Sequence, residues 1–247
     1  MKLITAGALV AMFSTSAWAQ VTVTANQTDN TLIPDYNTVN LNAVSESITL
    51  NNTGIQSITS VAVTLDVAAG DNGIPWNGDY YAYLTDPGGS IAILLNRVGI
   101  TDASNPNDFG YSDTGFDIRL SDGGYDIHNY QNTTYNLNGD GQLTGDWAPD
   151  GRNSSPFTVE ASDPRTALLD AFDGSGANGT WTLVIADASQ GSFGVLENWG
   201  LEVSGTGTQS VPDGGGAWAL PLLSGLGLLL FARRSARPLT VTWGGAR

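Results

Sequence analysis

The single histidine of the chain, His128 in the run YDIHNY, is the first residue whose type could do chemistry. As a general base it would need a nucleophile and an orienting acid in reach. No G-x-S-x-G run supplies the nucleophile, and a Ser-His-Asp triad needs a fold much larger than this chain allows. His128 therefore reads as a surface or strand-edge histidine. A second candidate is Asn136-Leu137-Asn138-Gly139-Asp140-Gly141. It has the front of a calcium loop, with oxygen ligands at positions 1, 3 and 5 and glycine at 6. Position 12 is Trp147 rather than glutamate, so Asp146 or Asp150 would have to complete the shell. Asn136, Asn138, Asp140 and Asp146 are thus the candidate metal ligands, and calcium is the one cofactor they suggest. The alternative is a Gly/Asn/Asp turn joining two strands.

Two further patterns carry less. Residues 174–179 (GSGANG) formally match G-x-G-x-x-G, but the dinucleotide motif must open a helix and this run leads into a strand. Trp76, Tyr80, Tyr81, Tyr83, Tyr125, Tyr130 and Trp147 could stack on sugars. Alternation assigns about half of them to a core. A sugar-binding face needs two or three coplanar exposed rings.

The elements that would position these residues read as strands. Val61, Val63, Leu65 and Val67 alternate with Ala62, Thr64 and Asp66 within 57–67, a half-buried strand. Residues 79–85 (DYYAYLT) and 90–95 flank Asp86-Pro87-Gly88-Gly89, where proline presets φ and glycine permits positive φ, so they predict a hairpin. Residues 179–203 predict two more strands, with Trp181, Leu183 and Ile185 on one inward row and Trp199, Leu201 and Val203 on the other. The turn-rich run DASQGSFG between them suggests a second hairpin, in which each indole N–H needs a partner. Short strands are expected at 21–25, 48–50, 116–120 and 125–128, and one helix-like run at 165–172. Residues 26–42 read as a polar leader that pairs with an edge. Many short strands and little helix predict an all-β, antiparallel sandwich.

Composition sets the surroundings. From position 20 to 210, 23 acidic residues face four arginines and no lysine, a net charge of −19. Such a surface repels nucleic acid and anionic lipid and keeps the domain soluble. There is no cysteine, so no disulfide braces the fold. Lys2, the apolar run 3–13 and Ala17-Trp18-Ala19 form a signal peptide with an A-x-A site, so cleavage before Gln20 and export are expected.

The 179–203 stretch also resembles a known family. Asn178-Gly179-Thr180-Trp181-Thr182-Leu183, Asp187, Gly194, Leu196, Trp199 and Leu201 are similar to the end of the P domain (P/Homo B) that follows the catalytic domain of subtilisin-like proprotein convertases. Asp79-Tyr80-Tyr81-Ala82-Tyr83-Leu84 with Pro87 and Gly89 resembles that family's earlier hairpin, and the resemblance covers 44–204. It implies a jelly-roll-like β-sandwich of the galactose-binding-like type. It also implies an accessory domain, non-catalytic by itself and associated with serine endopeptidases.

The C-terminal part has its own resemblance. Val211-Pro212-Asp213-Gly214, the apolar run 217–232, and Arg233, Arg234 and Arg237 resemble the PEP-CTERM and VPDSG-type sorting signals that exosortases process in Gram-negative bacteria. At ~1.5 Å per residue the apolar run approaches the ~30 Å of a bilayer core, with the arginines cytoplasmic. A plain membrane anchor is the alternative. The chain thus divides into signal peptide 1–19, leader 20–43, sandwich 44–204, linker 205–210, sorting segment 211–237 and extension 238–247. The expected role is a structural, protein-interaction or protease-accessory module at the cell surface or outside it. An extracellular carbohydrate-binding module is the alternative.

Overall fold

The structure, a computed structural model, describes residues 19–39, 41–70 and 73–207. Ala17, the tetrad Val211 to Gly214, the apolar run and Arg233, Arg234 and Arg237 lie outside the described residues. Among the described residues, no helix is long and apolar enough to cross a membrane.

Ten strands are described: β1 (Ala19–Ile33), β2 (Val44–Leu50), β3 (Ile55–Ala69), β4 (Tyr80–Thr85), β5 (Ile91–Asn96), β6 (Phe116–Ser121), β7 (Asn136–Leu137), β8 (Leu143–Trp147), β9 (Gly179–Asp187) and β10 (Gly194–Gly207). They form a six-stranded sheet in the order β1-β10-β3-β6-β8-β7 and a four-stranded sheet in the order β2-β9-β4-β5. The all-β sandwich is therefore observed. The pairing is antiparallel except between β6 and β8, which run parallel. Parallel neighbours need a crossover of a dozen residues or more, and the stretch 122–142 between them provides it.

The core lies between the sheets, because one row of each central strand points inward. Val61, Val63, Leu65 and Val67 of β3 are buried, as alternation requires, and so are Tyr80, Ala82 and Leu84 of β4. Trp181 and Trp199 are the largest fully buried side chains. The Trp181 ring meets Phe172 edge-on at 5.1 Å and its Nε1 donates to the Ala177 carbonyl at 3.0 Å. Trp199 Nε1 is buried with no hydrogen-bond partner, against the expectation for both indoles.

The β4–β5 hairpin forms as predicted. Gly89 has φ +88° and its N–H donates to the Asp86 carbonyl at 3.0 Å, while Ser90 N–H donates to Asp86 Oδ1 at 2.7 Å. The β9–β10 hairpin does not. β9 pairs with β2 and β4, β10 with β1 and β3 in the opposite sheet. Residues 188–193 arch from one layer to the other. A link of this length does not impose the register that a two-residue turn does, so both inward rows of side chains are kept while the strands separate.

Three smaller expectations are corrected. Residues 125–128 are not a strand, since Ile127–Asn132 turns as a 3-10 helix. Only Leu169–Phe172 of the helix-like run is helical, again 3-10. The short first strand extends through the polar segment to Ile33, with a bulge between Thr28 and Thr31 where Asn30 has φ +54°. β1 is an edge strand, so one face of it can stay polar. Val21, Val23 and Ala25 pack against the core from the other.

Candidate functional site

The candidate calcium ligands sit on β7, on the turn that follows it and on β8. Asn136 starts β7. The Asn138 Oδ1 accepts from the backbone N–H groups of Asp140 at 3.0 Å and Gln142 at 3.1 Å, and its Nδ2 donates to Gln142 Oε1 at 2.7 Å. These bonds close the tight turn between β7 and β8, where Gly141 has φ +85°. Asp146 points to solvent from β8, 3.7 Å from Arg119 Nη1. Asp150 is wholly buried elsewhere. Among the described residues, no group of three or more His, Cys, Asp or Glu side chains is arranged to hold a metal ion. Of the processing residues, Ala19 is described, heading β1 opposite Gly207.

The aromatic residues separate as alternation suggests. Tyr80, Tyr130 and Trp147 are core, and Tyr81 and Tyr83 are half-buried with rings inclined at 54°. Trp76 and Tyr125 are exposed.

His128 is not a surface residue, because it is 0 % exposed. Its Nε2 lies 2.8 Å from the Ile100 carbonyl, which can only accept, so this nitrogen carries a proton. Its Nδ1 lies 2.7 Å from Asp150 Oδ2 and shares a proton with it. Asp150 Oδ1 accepts from Arg152 N–H and from Arg152 Nη1, each at 3.2 Å. Arg152 Nη2 reaches Asp126 Oδ2 at 2.9 Å and the Ala161 carbonyl at 3.0 Å. Against the cost of burial, the Asp126 and Asp150 carboxylates hold the Arg152 guanidinium above its usual pKa. Asp126 also caps the 3-10 turn, its Oδ1 accepting from His128 N–H at 3.0 Å. Arg165 closes the cluster, donating to the carbonyls of Pro149 at 2.6 Å and Asp150 at 2.9 Å. Both ring nitrogens of His128 are occupied and no nucleophile faces them. The cluster is a buried electrostatic staple between loops that have few apolar side chains.

A second cluster opens to solvent where β4 and β9 end side by side, with Tyr80 paired to Asp187. Asp79 ends a 3-10 turn (Asn77–Asp79) and Asp187 ends β9. Gly78 N–H donates to the Tyr111 carbonyl at 2.9 Å, and Trp76 Nε1 donates to the Phe109 carbonyl at 3.0 Å, which fixes the indole. Arg97, in the left-handed region at φ +53°, donates from Nε to the Gly78 carbonyl at 3.0 Å and stands 4.0 Å from Asp79 Oδ1. Asp187 is 0 % exposed; its Oδ1 accepts from Ser189 N–H at 2.9 Å, and its Oδ2 has no partner. Asp35 pins the arch from outside, both carboxylate oxygens accepting from Gly191 N–H at 3.1 Å. Over this floor lies a cleft of about 270 Å³ between Trp76, Phe109, Asp79 and residues 189–192.

Burial pushes the Asp79 carboxyl up to about 6 despite Arg97. Burial pushes Asp187 to about 8, helped by the charges of Asp79 and Asp35 and opposed by the Ser189 hydrogen bond. An ordinary carboxylate titrates near about 4. From there up to these values the folded protein holds more protons than the unfolded chain, so stability falls as pH rises. The melting temperature is expected to decline between pH ~5 and ~8.5. Asp187→Asn should flatten the upper part of that decline and melt above the wild type at pH ~8.5. A variant with an unchanged profile would show that Asp187 is not the group responsible.

Nothing in the sequence singled out Asp79 and Asp187 as a pair. Each is an aspartate at one end of an apolar alternating run, 79 before YYAYLT and 187 after TLVIA. Only the pairing of β4 with β9 brings them together.

A family model described as the proprotein convertase P-domain matches residues 132–203, which include β7, β8, β9 and most of β10. No curated protein matches the chain. Two solved structures are similar. One is the complex of the Aeromonas sobria serine protease with the chaperone ORF2, at 15% identity and TM-score 0.39, covering 78% of this chain and 28% of that one. The other is the serine protease of Aeromonas sobria, at 16% identity and TM-score 0.39, covering 77% of this chain and 27% of that one. The chain spans just over a quarter of the length of either. The matched P-domain segment supplies one central strand to each sheet, β9 to the smaller and β10 to the larger.

Proposed function

We propose that the chain is an exported, protease-associated accessory module, non-catalytic by itself, that acts by binding another protein. The observation that carries this is the P-domain match at residues 132–203, set within a two-sheet sandwich. The buried, fully bonded state of His128 supports it, because the chain's one histidine is not free to activate a nucleophile. The signal peptide and the Val211-Pro212-Asp213-Gly214 tail support export, a transient inner-membrane anchor and exosortase-type release or surface display in a Gram-negative host. The strongly acidic sandwich argues against nucleic acid as a partner.

One experiment on material from the native host tests this. The protein is cross-linked in medium, surface and membrane fractions, labelled with a fluorophosphonate serine probe and weighed intact. The expected chain starts at Gln20, ends near residues 211–214, takes no probe, and is cross-linked to a probe-labelled protease. Probe on the chain itself would overturn the non-catalytic reading. A mass running through Arg247 in the membrane fraction would replace exosortase processing with a plain anchor.

A further inference from the structure

We propose that the outer edge of β1 is a dimerisation surface, where two copies of this chain pair antiparallel across a two-fold axis and join their larger sheets into one. The proposal goes beyond the protease-associated reading and needs no partner of another kind.

A sheet edge offers a row of unpaired N–H and C=O groups, which proteins shorten, charge or cover. Among the described residues there are four such edges, and three are protected. β5 is covered: Asp150 N–H donates to the Leu94 carbonyl at 3.0 Å, Gly151 N–H to that of Ile93 at 2.9 Å, and Ile93 N–H donates to the Ala167 carbonyl at 2.8 Å. β7 has two residues. β2 has seven and carries Glu46. β1 has 15 residues and, among the described residues, its backbone pairs with β10 alone. Its far half is partly guarded. Glu46 of β2 accepts from Gln27 Nε2 at 3.1 Å and from Thr31 Oγ1 at 3.4 Å, and a bulge interrupts the ladder between Thr28 and Thr31. Residues 19–26 have neither guard, and no proline or charged side chain.

Alternation gives this open stretch two rows. Val21, Val23 and Ala25 pack against the core yet stay half-buried, as the last apolar row of an edge must. Gln20, Thr22, Thr24 and Asn26 are exposed. A strand added here must set apolar against apolar and polar against polar. Two copies do so whenever the paired residue numbers have an even sum. With Val23 on the two-fold axis, the centre of the open stretch from Gln20 to Asn26, Val21 faces Ala25 of the second copy and Thr22 faces Thr24. Such β-branched and threonine pairs are favourable across strands.

Charge selects the second copy as the occupant. From position 20 to 210 the chain carries −19, so two copies repel across most of their surface. Residues 19–28 carry no charge, and at ~3.3 Å per residue they give a neutral line of about 33 Å along which two copies can approach. A basic strand, the natural complement of the rest of the domain, finds no carboxylate in that stretch to pair with.

Sedimentation velocity on the protein purified from its host, from ~1 µM to ~0.5 mM, should show a concentration-dependent dimer. Salt screens the repulsion between acidic surfaces and leaves backbone pairing intact, so the dimer should be at least ~3-fold tighter at ~0.5 M salt than at ~0.05 M. Thr22→Glu with Thr24→Glu, and Thr22→Lys with Thr24→Lys, set like charges opposite one another and should each weaken self-association ~10-fold or more. An equimolar mixture of the two variants should restore the dimer, because carboxylates of one copy then face ammonium groups of the other. Restoration also shows that both variants are folded. The chain has no cysteine, so Thr24→Cys carries a single nitroxide label. In the dimer the two labelled Cα atoms lie within about 10 Å, given the ~3.3 Å rise and ~4.8 Å strand spacing, so the spectrum should broaden as the dimer forms. A monomer throughout the range would overturn the proposal, whether the edge stays open or is taken by residues 239–243 (LTVTW) of the same chain. So would a dimer that leaves the label sharp or ignores the charge exchange, since its interface would lie elsewhere.

Discussion

Asp150→Ala is expected to cost roughly 3–5 kcal/mol, the loss typical of breaking a buried ion pair from one side. The reason is the number of groups that depend on this one carboxylate. Its Oδ2 holds the shared proton with His128 Nδ1 at 2.7 Å, and its Oδ1 accepts twice from Arg152 at 3.2 Å. Alanine leaves the buried guanidinium with Asp126 as its one carboxylate partner and a buried imidazole with one ring nitrogen unpaired. Against a total stability of about 5–15 kcal/mol, that is a large fraction. Urea unfolding should show a lower midpoint with an unchanged slope. His128→Ala should be costly too. The double variant should cost less than the sum of the two single ones, because both remove the same interaction. Additive losses would show that the two side chains are not coupled. A loss below ~1 kcal/mol for Asp150→Ala would remove the cluster from the account of stability.

Trp181→Ala should destabilise by a similar amount, roughly 3–5 kcal/mol for a large aromatic removed from a packed core. Trp181 is 0 % exposed, sits edge-on to Phe172 at 5.1 Å and donates to the Ala177 carbonyl at 3.0 Å. Substitution by phenylalanine separates packing from hydrogen bonding. Trp181→Phe orphans the Ala177 carbonyl, whereas Trp199→Phe removes an indole N–H that has no partner. Trp199→Phe should therefore be the milder of the two by about 1 kcal/mol, the net worth of a hydrogen bond. Equal losses would mean that the Trp181 bond contributes nothing beyond its ring.

What could be read from the sequence follows from what each signal measures. Alternation at Val61, Val63, Leu65 and Val67 reports which face is buried, and those residues are buried. Asp86-Pro87-Gly88-Gly89 reports backbone conformation, and the hairpin forms there with Gly89 at positive φ. Neither signal names a strand's partner. The inward rows of Trp181 and Trp199 were legible, but their assignment to opposite sheets was not, because the six-residue link between the strands fits an arch as well as a turn. β1 runs beyond the expected 21–25 because an edge strand with one polar face carries few apolar residues to mark it. For a related reason the sequence places His128 at the surface although it is buried. Its local neighbours, Asp126 and Asn129, are polar, while the carboxylate that pairs with its ring lies 22 residues further on. The oxygen-rich run at 136–141 fits a turn as well as a calcium loop, and its Asn138 side chain bonds across the turn between β7 and β8. The Asp79–Asp187 pair is the extreme case, since only long-range pairing creates it.

The measurement that tests the accessory-module account most directly is the thermal-inactivation half-life of whichever serine protease the cross-linking experiment recovers with this chain. It is taken with the protease alone and with the chain added in stoichiometric amount. The account predicts a longer half-life with the chain present, an effect that saturates near one equivalent and that the Asp150→Ala variant loses at a temperature where that variant alone has melted. A half-life unchanged at excess chain would contradict it.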